Sequence, residues 1–416
     1  MLAPDQILSL TIDKPAAGGR MIARADGHIV LVAGAIPGER VLARVERVGK
    51  GVVFAETIGV EDGSPDRREP FVELRCGGSL LAHIAYPRQL AIKSQVIADA
   101  FTRIGRAPLR APVGVMGSPE EGYRMRARLH VRGHRAGFFR EGSHDICDAR
   151  ETRQLLPETC DTVDRMVAAI ASLGLDAVRE IELSENVAAT ERVAHLETSA
   201  PVDPRLLQKV ASVDGLTPGP YVSDTLTIGE ASLALRRHVL AFFQGNRHLL
   251  HHLVAHVSDR VPIGGSVLDL YAGAGLFSMA AAVLRAACVV AIEGDRYAAD
   301  DLHANASASG GQVTTVHAAV EMHLARASMM MGTLRRPMFE TVIVDPPRTG
   351  MSREALERLL ALAPPRLVYV SCDVATLARD ARRMLNAGYT IERADAFDLF
   401  PNTPHVETVV VFTRQP

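Results

Sequence analysis

Residues 267–278 read VLDLYAGAGLFS. An apolar run (Val267, Leu268, Leu270) enters a turn containing Gly273 and Gly275, and a helical pattern starts behind it. Strand, glycine-rich turn and helix start form the opening unit of a parallel sheet with crossover helices. The two glycines let the backbone approach a ligand closely. Eighteen residues after Gly275, at the end of the apolar run CVVAI, stands Glu293. An acid at the end of the second strand suits the two hydroxyls of a ribose.

A nicotinamide dinucleotide and S-adenosylmethionine both fit a glycine turn followed by a ribose acid. Two details favour S-adenosylmethionine. Ser278 stands where a dinucleotide fingerprint places its third glycine. Asp269, just before the turn, fits the acid-x-x-x-Gly-x-Gly motif of class I methyltransferases. Two further strand ends carry chemistry. TVIVDPPRTG, 341–350, is a buried strand ending at Asp345, with Pro346 and Pro347 stiffening the loop before Arg348. An acid there also suits a cap for the next helix. LVYVSCD, 367–373, is another buried strand, and Cys372 stands where it turns into the helical pattern from Ala375 to Leu385. In an open parallel sheet, ligands collect at the carboxyl ends of the strands. A thiol placed there is a nucleophile if its pKa is lowered, and otherwise a small buried residue. Glu407 opens the last strand, 408–413. If that strand forms an antiparallel hairpin with Tyr389–Ala396, the connecting loop lies at the same edge, and Glu407 can meet Cys372 across 35 positions of sequence.

The 416 residues predict two or three domains. Hydrophobic residues are 47% and charged residues 23%, which is ordinary for a soluble globular chain. No apolar run reaches the ~18 residues of a membrane span. The first ten residues, MLAPDQILSL, have an acid and no basic flank, so no signal peptide is expected. Five scattered cysteines give no disulfide framework, and a reducing cytoplasm is the expected compartment. The net charge of −2 hides an asymmetry: residues 1–150 hold 22 Lys and Arg against 17 Asp and Glu. Between Arg103 and Arg140 nine arginines face two glutamates. Such a stripe suits a polyanion, although arginine outnumbers lysine throughout the chain.

In chain order, residues 1–62 read as a small β-barrel. Strands at 7–12, 28–33, 41–48 and 52–58 are separated by glycine turns. Residues 63–235 read as a central α+β domain, in which Arg124, Arg126 and Arg128 share one face of a strand. That face is equally a phosphate track or a solvated surface. From 236 to 416 strands and helices alternate, beginning with a helix expected over 238–257.

These motifs resemble a known family. GGRMIARADGHIVLVAGAIPGERVLARV, closing with Ser64 to Arg67, looks like a TRAM domain, an OB-like RNA-binding barrel. DPPR at 345–348, SCD-x-x-T-L-x-R-D from Ser371, the terminal F-P-x-T-x-H-V-E and FFQGN at 242–246 resemble the RNA uracil-5-methyltransferases. The resemblance covers nearly the whole chain. It implies an OB-like barrel, a central α+β domain and a Rossmann-like class I methyltransferase domain. It implies S-adenosylmethionine bound by Gln244, Tyr271, Gly273, Gly275, Glu293 and Asp345, with Cys372 as nucleophile and Glu407 as base. Leu276 stands where the family often has Asn. The implied product is 5-methyluridine in structured RNA, with 23S ribosomal RNA preferred over transfer RNA, made by a monomer with no membrane association. A non-catalytic RNA-binding factor on the same scaffold is a competing reading. So is methylation of an amine or small molecule, which would not require Cys372.

Many TRAM-bearing methyltransferases hold a 4Fe–4S cluster on three close cysteines and a distant fourth. Here only Cys76 matches. Pro70 and Ser79 occupy the first and third positions, and Thr152 the expected fourth. Four thiolates are the usual ligand set, so neither a cluster nor any other metal is expected. Cys76 is then a structural remnant, and Cys147 and Cys160 lie off the pattern.

Overall fold

The computed structural model describes residues 2–330 and 338–414. The chain opens with a closed barrel of β1 (Ile7–Pro15), β2 (Met21–Ala25), β3 (His28–Ala33), β4 (Arg40–Val48) and β5 (Val52–Asp62), in the order β1-β2-β3-β5-β4. Alternation fills its interior: Leu10, Ile12, Met21, Ala23, Val30, Val32, Val41, Ala43 and Val53 are buried on the inward face. The expected strands form, and β2 joins them. Its five residues, MIARA, are too short and too arginine- and alanine-rich to stand out as β. Glu39 explains why Pro-Gly-Glu-Arg and Ser-Pro-Asp-Arg occur together. Its carboxylate accepts from Ile36 N at 2.8 Å, Ser64 N at 3.1 Å and Arg67 Nε at 2.6 Å. Burial opposes the charge, but Arg67 and the two amides outweigh it and hold Glu39 below its ordinary carboxylate value.

Helix α1 (Tyr86–Ala100) continues into a π-helical turn, Phe101–Gly105, and β6 (Gly114–Met116). The run LAHIAYPRQLAIKSQVIADAF, 81–101, has apolar residues at helical spacing throughout, yet the part before Tyr86 is a series of turns. The central sheet has the order β11-β10-β7-β8-β9 and is antiparallel. Its strands are β7 (Arg126–Arg132), β8 (Arg135–Phe139), β9 (Ile146–Asp148), β10 (Val178–Glu185) and β11 (Arg192–Thr198), with α2 (Pro157–Ser172) and α3 (Pro204–Val210) contributing to its core. A hairpin of β12 (Tyr221–Ile228) and β13 (Ala231–His238) follows.

The C-terminal part contains α4 (Leu250–Ser258), β14 (Ser266–Leu270), α5 (Leu276–Arg285), β15 (Cys288–Glu293), α6 (Arg296–Ala308), β16 (Val313–His317) and α7 (Val320–Met330). After these come β17 (Thr341–Val344), α8 (Arg353–Ala361), β18 (Arg366–Ser371), α9 (Val374–Asn386), β19 (Tyr389–Phe397) and β20 (Glu407–Arg414). The eight-stranded order is β16-β15-β14-β17-β18-β20-β19-β6. The strands from β16 to β18 are parallel, and β20 enters antiparallel between β18 and β19. Alternate residues feed opposite cores. Val267, Ile343, Val368 and Val409 pack with α4, α5 and α6, whereas Leu268, Val342, Tyr369 and Val410 pack with α7, α8 and α9.

Three expectations change here. The helix expected from His238 begins only at Leu250, because Asn246 Oδ1 accepts from His248 N and Leu249 N and holds a non-helical entry. β6 pairs with β19, so the segment 86–116 adds a helix and a strand to the C-terminal sheet rather than to the central one. The cysteines also contain one linked pair: Cys76 is disulfide-bonded to Cys147. Cys76 is therefore no isolated remnant. The 71 positions between the partners are closed by β8, whose strand pairing brings Cys147 of β9 beside the turn at Cys76. Among the described residues no helix is long and apolar enough to cross a membrane.

Candidate active site

The carboxyl edge of the eight-stranded sheet gathers every residue singled out in the methyltransferase part. β14 ends at Leu270, and Tyr271 follows with a left-handed φ of 62°. A non-glycine residue held there is strained, and such strain concentrates at functional sites. Gly273 has φ 58°, and a Cβ built on it would find only the Phe242 carbonyl oxygen, at 3.9 Å. The turn is therefore open on the side where a ligand would lie. Glu293 closes β15 and accepts from Gly273 N at 2.7 Å, Gly294 N at 2.7 Å and Asp295 N at 2.6 Å. Its carboxylate thereby ties the glycine turn to the second strand.

Two acids stand behind the turn, Asp269 buried and Asp345 half-buried. Asp269 accepts from Ser278 Oγ, while its Oδ1 has no hydrogen-bond partner among the described residues. Burial raises its pKa to about 7, with Ser278 opposing and Glu293 adding. Asp345, just past β17, accepts from Gln244 Nε2 at 3.1 Å, and burial with the nearby Asp269 charge raises it to about 7 as well. Two close carboxylates with raised pKa values and an unused acceptor make a site for a cation. S-adenosylmethionine carries a sulfonium and an ammonium. The acids, the open glycine turn and Glu293 fit it. Leu276 is buried in the apolar core and offers the donor no polar contact.

The loop after Asp345 is held from below. Thr376 Oγ1 donates to Arg348 O at 3.2 Å, and Arg379 Nη2 reaches Thr349 O at 3.1 Å and Met351 O at 3.3 Å. Asp380 accepts from Met351 N at 3.1 Å and Tyr369 Oη at 2.9 Å. The T-L-x-R-D run on α9 is thus a brace for the D-P-P-R loop. The sequence signal was its spacing after Asp373, which caps α9 through Thr376 N at 2.8 Å.

Ser371 on β18 pairs with Thr408 on β20. Cys372 is the first residue past the end of β18 and Glu407 the residue next to Thr408, and the two side chains are near enough for the Glu407 charge to act on the thiol. Glu407 is 3% exposed and also pairs with Phe397 of β19. Burial and the Asp345 charge hold its carboxyl well above the ordinary value, with Arg348 opposing. Burial pushes the Cys372 thiol up to about 12, and the Glu407 charge adds to that. The nearby Arg348 guanidinium pulls the other way. The sheet therefore places a sulfur, a carboxyl and a guanidinium together beside the candidate donor site.

The arginines at 124, 126 and 128, read as either a phosphate track or a solvated face, do not share one environment. Arg128 is paired with Glu182 and Glu180, Arg124 donates to Gln154 Oε1 at 2.7 Å, and Arg126 lies 5.9 Å from the centre of the exposed Phe242 ring. The three side chains are committed to different partners. The cluster positions also do not fit a metal. Cys76 is bonded to Cys147, Ser79 is buried, and Thr152 Oγ1 donates to Ala149 O at 2.7 Å. Among the described residues no group of three or more His, Cys, Asp or Glu side chains could hold an ion.

The model of the tRNA (uracil-5-)-methyltransferase family matches residues 216–415. A Pseudomonas putida protein named 23S rRNA (uracil(1939)-C(5))-methyltransferase RlmD is 32% identical, covering 97% of this chain and 93% of that one. The protein of the same name from Halomonas elongata is 32% identical, covering 97% and 88%. The crystal structure of Pyrococcus abyssi tRNA (uracil-54, C5)-methyltransferase with S-adenosyl-L-homocysteine superposes with a TM-score of 0.73 at 24% identity, over 97% of this chain and 99% of that chain. That likeness extends the shared fold to the barrel and the central sheet. The chain belongs to the RNA (uracil-5-)-methyltransferase family of S-adenosylmethionine-dependent enzymes.

Proposed function

We propose that the protein forms 5-methyluridine in 23S ribosomal RNA, with Cys372 as nucleophile and Glu407 as base. The observation that supports the reading is that β18 ends beside the start of β20, with Ser371 paired to Thr408, so that Cys372 and Glu407 follow at the same edge of the sheet. Uracil C5 is a poor nucleophile. Loss of the Cys372 proton and formation of a sulfur–C6 bond push the C5–C6 π pair toward C5 and O4, which makes C5 enolate-like. The donor, held by Gln244, Tyr271, Gly273, Gly275, Glu293 and Asp345, supplies a methyl group on a positively charged sulfur. Once C5 carries the methyl group, the Glu407 carboxylate takes the C5 proton. The C–H pair then restores the C5–C6 double bond and the sulfur leaves C6. Arg348 stabilises the thiolate and the anion developing on the ring. The donor's positive charge would offset the Asp345 charge, which adds to burial in raising the Glu407 carboxyl.

A stacked base cannot present both faces to these groups, so the target uridine is flipped out or lies in an opened loop. The barrel and the arginine-rich segment serve as the RNA-holding parts. The preference for 23S RNA over transfer RNA rests on the names of the full-length relatives, and a monomeric cytoplasmic enzyme fits that role. The folding units are taken as 1–62, 63–235 and 236–416, with 86–116 packed on the last.

Cys372→Ala abolishes turnover and leaves donor binding intact; unchanged methylation rejects the nucleophile and returns the small-molecule reading. Glu407→Gln accumulates a covalent protein–RNA adduct on a denaturing gel. Mass spectrometry of RNA from a deletion strain locates the substrate. Loss of 5-methyluridine from transfer RNA instead would reverse the RNA assignment, and no loss from any RNA would favour the non-catalytic reading.

A further inference from the structure

The loop from Asp398 to Val406 delivers Glu407 to the site, and it is fastened by one face of α1. Gln89 and Lys93 are four apart on that helix, so they project from the same face. Both are fully or almost fully buried, which is unusual for these residue types on a helix. Gln89 Oε1 accepts from Asn402 N at 3.0 Å, and Gln89 Nε2 donates to Asn402 Oδ1 at 2.9 Å. Asn402 is 2% exposed with φ 63°, a left-handed conformation that these bonds help to hold. Its Oδ1 also accepts from Arg68 Nη2 at 2.9 Å, and its carbonyl from Leu81 N at 2.8 Å. At the start of the loop, Lys93 Nζ is paired with Asp398 and donates to Phe400 O at 3.2 Å. Every one of these partners comes from before residue 94, outside the methyltransferase motifs.

We propose that Gln89, acting through Asn402, is a positioning residue for the base: it sets where the Glu407 carboxylate meets the C5 proton. The inference rests on Glu407 being that base. Sulfur addition and methyl transfer depend on β18 and the donor turns, whereas the hydrogen bonds of Gln89 and Lys93 go to the loop before Glu407 and to the segment before α1. Proton removal depends on the loop. A displacement of the order of 1 Å costs about 100-fold in a step that needs close approach. Loosening the clamp should therefore slow the last step alone, and the methylated covalent adduct should build up. A side chain of merely structural importance would lower all steps together and leave no adduct.

The test uses the full-length enzyme with Gln89→Met, which keeps the volume and removes both bonds to Asn402 together with those from Nε2 to Leu81 O and Ile84 O, and Asn402→Gly, which tolerates the left-handed backbone and leaves those two Gln89 bonds in place. Each is assayed on an unmodified 23S RNA transcript and on the same transcript made with 5-fluorouridine. Fluorine at C5 cannot be removed as a proton, so adduct formation there needs the thiol and the donor but not the base. The expected result is turnover reduced about 10- to 100-fold, adduct accumulating on the ordinary transcript, and wild-type rates of adduct formation on the fluorinated one. Reduced turnover without adduct on the ordinary transcript, or turnover at the wild-type rate, overturns the proposal while Glu407→Gln still traps adduct. If Glu407→Gln traps none although it forms adduct on the fluorinated transcript, the base assignment itself falls, and this inference with it.

Discussion

Asp269 and Asp345 are the acids proposed to meet the donor's positive charges. Asp269 is buried and Asp345 half-buried, both are raised to about 7, and the Asp269 charge adds to the cost of ionising Asp345. Below that value the pair takes up protons, and a cationic donor must displace them. Above it the carboxylates are charged and ready. S-adenosylmethionine should therefore bind more tightly as pH rises from 6 to 8, by up to about tenfold per unit for each proton released, and level off above 8. Calorimetric titration across that range checks this, and Asp345→Asn should both weaken binding and flatten the profile. A dissociation constant independent of pH would mean that the two acids do not face the donor's charges. The same cation lowers the cost of ionising Glu407 and Cys372, so a free enzyme with a neutral thiol is compatible with a nucleophile that forms after the donor binds.

At the scale of elements, the glycine turn is a backbone device. Gly275 has φ 93°, and a Cβ there would approach Leu302 Cδ1 to 2.8 Å, whereas Gly310, with φ 79°, has nothing within 4 Å. Gly275→Ala should weaken donor binding at least tenfold, since strain of the order of 1–3 kcal/mol is joined by a clash that pushes the turn from its strand. Gly310→Ala carries a similar backbone strain and should leave the donor constant unchanged. Equal effects in the two variants would reduce the turn to a general stability element. This contrast also marks what a sequence discloses. Strand ends at Leu270, Glu293, Val344 and Ser371 were legible because buried parallel strands are short apolar runs that stop abruptly. The Cys372–Glu407 register was partly legible, since a hairpin return constrains where its loop lies. The irregular entry at 239–249 was not, because it is held in part by Asn246 Nδ2 and Arg247 Nε, which donate to Leu399 O and Gly122 O more than a hundred positions away. Nor was β6, whose three residues gain their strand only from β19.

The whole molecule is joined across its parts at the turn holding Cys76. From there the chain runs through Ser79, whose amide donates to Cys76 O at 3.0 Å, to Leu81, whose amide donates to Asn402. Cys147 fastens the same turn to the central sheet. A cross-link over 71 positions removes chain entropy worth about 4 kcal/mol from the unfolded state. Such bonds are uncommon in a reducing cytoplasm, yet both sulfurs belong to residues at most 3% exposed. Reduction needs a thiolate to reach one of them, so the folded enzyme should keep the bond. Acid-quenched alkylation of a cell extract, followed by denaturation, should label Cys160, Cys288 and Cys372, and label Cys76 and Cys147 only after a reductant is added under denaturing conditions. The purified enzyme should melt at a lower temperature after reduction in denaturant and refolding, and Cys147→Ser should match that value with or without reductant. Labelling of all five cysteines without reductant would show an open pair in the cell. The turn at Cys76 would then be held by its backbone bonds alone, and the variant should melt with the wild type.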